Sequence, residues 1–73
     1  MFRFTAIGIV VVLHGNRLTL RTEEVGDVEC SLERLRGPRP YMGAQVIASG
    51  TIGYGETKDT FTFIIEKLSI EKY

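Results

Sequence analysis

Nine residues of this chain carry the groups most suited to gripping an anionic polymer. Arg34, Arg36, Arg39 and Tyr41 lie together in ERLRGPRPY, which holds three of the six arginines within six positions. Guanidinium groups interleaved with an aromatic ring suit single-stranded nucleic acid, pairing with phosphates and stacking on bases. Arg17, Thr19 and Arg21 form a second set, spaced by two. On a strand that spacing puts all three on one face. Tyr54 and Lys58 form a third, offering one stacking ring and one phosphate contact. The same basic residues would also suit an acidic protein partner.

Catalytic chemistry finds less. His14, the single histidine, has no cysteine or carboxylate beside it in sequence. It reads as a solvated turn residue, not as a base or metal ligand. Ser31 and Ser49 lack a nucleophile signature. Glu23-Glu24 precedes a turn and reads as a solvated pair. The string TIGYG, residues 51–55, resembles the selectivity filter of potassium channels. A filter needs spanning helices around it, each about 20 apolar residues long. The longest apolar run here is residues 9–13, so TIGYG reads as a strand end and its turn. The glycines of IGYGETK have no following helix to complete a phosphate-binding loop. No catalytic residue, metal ligand or cofactor is expected, and the chain reads as a non-enzyme.

Composition narrows the class further. The chain has 73 residues, 44% of them hydrophobic, with no net charge. That length allows one domain, residues 1–73, with a small core. Zero net charge places any nucleic-acid site in a local patch. Cys30, the one cysteine, excludes an internal disulfide and reads as a small buried hydrophobe. The opening MFRFTAIGIVVVL is read as a strand and not as a signal peptide, because turn residues replace a cleavage site. A cytoplasmic or nuclear protein, not a secreted one and without a membrane partner, is therefore expected.

These groups must be positioned by strands. Residues 2–13 are rich in β-branched and aromatic residues, with Gly8 marking a bulge or bend. Residues 17–22 alternate, Leu18 and Leu20 on one face. Val28, Cys30 and Leu32 share a parity on a third strand. Residues 31–36 are the one plausible helical piece, capped by Ser31 and ended by Gly37-Pro38. Residues 43–54 form a fourth strand, with Val46, Ala48, Gly50 and Ile52 inward. Residues 53–58 read as a polar hairpin loop. Phe61, Phe63 and Ile65 alternate on the fifth strand. Leu68 and Ile70 then switch parity, which places a bulge within residues 64–67.

A three-stranded meander, a short helix or turn, then a hairpin predicts an all-β chain. The glycine-broken strands predict a closed, five-stranded Greek-key barrel. The segments AIGIVVVLHGNRLTLRTEEVGDVECSL and GAQVIASGTIGYGETKDTFTFIIEKLSI resemble the strands of OB-fold nucleic-acid-binding domains, and between them cover nearly the whole chain. Gly43, Val46, Gly50 and Ile52 fit the fourth strand, and Phe61, Phe63 and Ile65 the last. The family includes single-stranded DNA binders, small subunits of replication-protein-A-like complexes and anticodon-binding domains. The resemblance implies binding of single-stranded DNA or RNA, within a larger DNA or RNA maintenance complex. The alternative is a protein–protein interaction subunit with no nucleic-acid contact, and a protein partner or homo-oligomer is expected on either reading. The turn joining strands one and two is short for such a domain, and the first three strands offer no evident exposed aromatic.

Overall fold

A computed structural model of the chain describes residues 2–54 and 61–71. It contains five strands: β1 Phe2–His14, β2 Arg17–Thr22, β3 Gly26–Ser31, β4 Gln45–Tyr54 and β5 Phe61–Ile70. They close into a barrel in the order β1-β2-β3-β5-β4. All pairings are antiparallel except that of β3 with β5. This all-β closed barrel fits the OB-fold class.

Alternation builds the core as the sequence predicts. Leu18, Leu20, Cys30, Leu32, Val46, Ala48 and Ile65 are all buried, with Val10 and Ala44 beside them. Phe4 and Phe63 meet edge to face, ring centroids 4.9 Å apart, a favoured geometry for aromatic pairs. Phe61 shares the inward parity but is 62% exposed at its strand end.

Two glycines let strands approach closely. At Gly50, a Cβ would overlap the Ile64 carbonyl oxygen. The β4–β5 register shifts there, Ser49 facing Lys67 while Gly50 faces Ile65. Glu66 is thus the extra residue of a bulge within the predicted window. This bulge is what turns Leu68 and Ile70 back toward the core. Gly8 does not itself carry a bulge. The β1–β2 shift lies between Val10 and Val12. A Cβ at Gly8 would instead lie 2.8 Å from the Arg21 carbonyl oxygen, so glycine is required where β2 crosses β1.

The connection from β3 to β4 departs from expectation. No helix forms over residues 31–36. One turn closes, with Leu35 N–H donating to Leu32 O at 3.1 Å, and the Ser31 hydroxyl accepts from Glu33 N–H at 3.3 Å. Arg36 N–H then donates sideways to Glu66 O on β5, at 3.2 Å. That bond replaces the one a helix would need to continue. β4 also begins later than expected. Gly43 takes a positive φ of 83° and Ala44 N–H closes a turn onto Tyr41 O.

Strand closure is uneven. β1 pairs with β4 over residues 2–9 and with β2 over residues 9–14. Residues 2–8 therefore have β4 on one side and no strand on the other, among the described residues. Among the described residues β3 meets β5 at two positions, Cys30–Phe63 and Ser31–Ile64. The β2–β3 hairpin thus stands away from the barrel wall at its turn.

Candidate nucleic-acid interface

Hydrogen bonds tether Arg39 to the β1–β2 turn. Arg39 Nη2 donates to Gly15 O at 2.6 Å, and Nη1 donates to Asn16 Oδ1 at 3.3 Å. Leu32 N–H donates to Asn16 O at 2.8 Å. Residues 32–39 are so pinned against the turn from which β2 departs. Arg17 stands at the start of β2, opposite His14 and Ser31. Arg34 and Arg36 lie exposed on the connection. None of Arg17, Arg34 and Arg36 is in an ion pair among the described residues. Tyr41 follows Arg39 by two residues and is 58% exposed. Arg39 is thus held beside the turn that precedes Arg17, while Arg34 and Arg36 lie exposed on the same connection, whose Arg36 N–H reaches Glu66 O on β5.

The β2 face as a whole is not basic. Arg17, Thr19 and Arg21 point outward as predicted, and their partners on β3 are Ser31, Glu29 and Asp27. Arg21 forms a fork to Asp27, Nε to Oδ1 at 3.0 Å and Nη2 to Oδ2 at 3.3 Å. The hydrogen bond from Arg21 holds the Asp27 carboxyl below its usual range. The same bond raises the Arg21 guanidinium. Both groups are exposed, so the pair adds little to stability. Its consequence is to occupy the Nε and Nη2 donors of Arg21.

Tyr54 and Lys58 do not join this set. Tyr54 ends β4, opposite Phe61, while Gln45 begins that strand near the Tyr41–Ala44 turn. Ten residues of strand separate the two ends by roughly 30 Å. Lys58, and the hairpin expected over residues 53–58 beyond Tyr54, lie outside the described residues.

Other features escaped the sequence reading. Phe2, at 77% exposure, is an exposed aromatic at the start of β1, where none was expected. Ile7, Ile9 and Val12 are also about half exposed. The unbroken run at residues 9–13 was the available signal, since a run without alternation leaves apolar residues on both faces. A cleft of about 600 Å³ opens beside β1 and is lined by Phe4, Ala6, Arg21, Glu23, Val28 and Phe63 among others. Cys30 is buried, and burial pushes its thiol up to about 12. No group of three or more histidine, cysteine and acidic side chains is placed to hold a metal ion among the described residues. No helix among them is long and apolar enough to cross a membrane.

No protein-family model matches the chain, and no curated protein matches it. The fold and the charged groups therefore carry the functional reading by themselves.

Proposed function

We propose that this protein binds single-stranded nucleic acid with the end of the barrel bearing Arg17, Arg34, Arg36, Arg39 and Tyr41. The observation carrying this reading is the pinning of residues 32–39 onto the β1–β2 turn by Arg39 and Leu32. It brings the Arg39 guanidinium to the turn from which Arg17 departs, with Arg34 and Arg36 exposed on the same connection, in a chain of zero net charge. The strand order supports a Greek-key OB barrel, a fold that binds oligonucleotides on strands 2–3 and neighbouring loops, including the one between strands 1 and 2. Arg17, Arg34 and Arg36 would contact phosphates, and Tyr41 would stack on a base. Thr19 lies between Arg17 and the paired Arg21, at the margin of the patch. The protein acts as a binding subunit of a DNA or RNA maintenance complex, with no reaction of its own.

Fluorescence anisotropy with labelled single-stranded DNA and RNA tests this. Three or four phosphate contacts give a salt slope of about −2 to −3. Affinity should then fall about 20- to 50-fold between about 50 and 200 mM salt. Absence of binding at about 100 μM protein, weaker than ordinary non-specific affinity, would overturn the proposal. The outward apolar residues Ile7, Ile9 and Val12 favour the second reading, a protein-interaction subunit without nucleic-acid contact.

A further inference from the structure

The opposite end of the β2–β3 hairpin carries a different kind of site. Residues 2–8 of β1 present a strand edge with no partner among the described residues. Beyond the crossing at Gly8, β2 leaves β1, and the cleft of about 600 Å³ opens between them. Its lining includes Phe4, Ala6, Val28 and Phe63. All four pack against the core yet stay only half-buried. They are core-packed side chains with no covering strand among the described residues. An open strand edge is a template for main-chain hydrogen bonding, and adjacent pockets accept alternate side chains of the added strand.

The charges of the cleft choose the occupant. Its charged lining is Arg21, Glu23 and Glu24. Arg21 is already bound by Asp27. Glu23 and Glu24 are exposed and in no ion pair among the described residues. The rim is therefore net acidic, whereas the arginine patch lies at the other end of the hairpin. An anionic strand of nucleic acid is repelled here and a cationic chain is attracted.

We propose that an extended segment of a partner protein, with alternating apolar side chains flanked by lysine or arginine, adds as a strand to the free edge of β1. Its backbone pairs with residues 2–8. Its inward apolar side chains cover Phe4, Ala6, Val28 and Phe63, and its cations meet Glu23 and Glu24. The site is separate from the arginine end and stands whether or not nucleic acid binds there.

The test is amide hydrogen exchange, followed by NMR, on the whole chain with and without acetyl-KTVTVTVK-amide. The acidic peptide acetyl-ETVTVTVE-amide serves as comparison. The expected result is slowing of at least about tenfold at alternate amides of residues 2–8, those facing away from β4. The basic peptide should bind at least about tenfold tighter than the acidic one. Glu23→Lys with Glu24→Lys, both in an exposed turn, should remove that preference while leaving the free protein's spectrum folded. Unchanged exchange at residues 2–8 at saturating peptide would overturn the proposal, as would equal affinity for both peptides. Protection of the same amides that rises with protein concentration alone would also overturn it, by assigning the edge to a second copy of this chain.

Discussion

The tightest constraint among the described glycines is Gly50, and Gly50→Ala should remove a large part of the barrel's stability. An added Cβ at this position overlaps the Ile64 carbonyl oxygen, and it also meets Ile64 C at 2.9 Å and Glu66 N at 3.0 Å. All three are backbone atoms, so no side-chain rotation relieves the contact. β4 and β5 must separate by about 1 Å or more to restore ordinary packing distances. Overpacking of this kind costs about 1–3 kcal/mol. Separation also weakens the neighbouring pairs, Gly50–Ile65 and Thr51–Ile64, at about 1 kcal/mol for each hydrogen bond lost. The sum is about 3–5 kcal/mol. A chain of 73 residues has a total stability of about 4–11 kcal/mol. Urea denaturation followed by far-ultraviolet circular dichroism reads the loss directly. With a slope near 1 kcal/mol/M for so small a domain, the midpoint should fall by about 3–5 M. Gly15→Ala is the control. Gly15 has a φ of 59° with no atom within 4 Å of a built Cβ, so strain alone costs about 1 kcal/mol. A Gly50→Ala protein within about 0.5 kcal/mol of the parent, the usual range of harmless surface changes, would refute the strand register and the bulge at Glu66.

Three further outcomes follow from other contacts. Phe63→Ala should destabilise by about 2–3 kcal/mol, less than a fully buried ring would, because Phe63 is half-buried and loses its edge-to-face contact with Phe4; denaturation in urea measures it, and parent-like stability would contradict the packing. Asp27→Asn should release the Arg21 fork, and the anisotropy assay should then show tighter binding and a salt slope steeper by about 0.7; an unchanged slope would show that Arg21 stays outside the interface even when its fork is released. Cys30 should resist a thiol reagent at neutral pH until the protein unfolds, because burial raises its thiol from an ordinary 9.0 to about 12. The folded state holds that proton more tightly, so this thiol's stabilising contribution is complete below about pH 9 and is lost as pH rises toward 12; rapid labelling of the native protein would show that the core opens at Cys30.

Much of this architecture is legible in the chain alone. Leu18 and Leu20, then Val46, Ala48 and Gly50, alternate without interruption, and period-two alternation has one solution when one face must be buried. The parity switch from Ile65 to Leu68 marks a bulge because no regular strand turns both inward. Gly8 was legible as a special position, but its cause was not. The glycine answers a backbone on another strand, and nothing local records that approach. The capped, proline-ended segment over residues 31–36 has the local marks of a helix turn, yet Arg36 N–H finds Glu66 O on β5 and the helix does not form.

The candidate site divides in the same way. Residue type and spacing by themselves determined that arginines face outward on β2 and cluster in ERLRGPRPY, and that Tyr41 follows them. Only the tertiary structure decided that Arg39 ties that segment to Gly15 and Asn16, that Asp27 takes Arg21 out of the patch, and that Tyr54 stands at the far end of β4. It also decided that residues 2–8 have no second strand partner among the described residues, beside Glu23 and Glu24. Alternation is a property of neighbouring residues and is written in the order of the chain. Which charges meet, and which edges stay open, depends on pairings between residues distant in sequence, settled when β1 divides itself between β4 and β2.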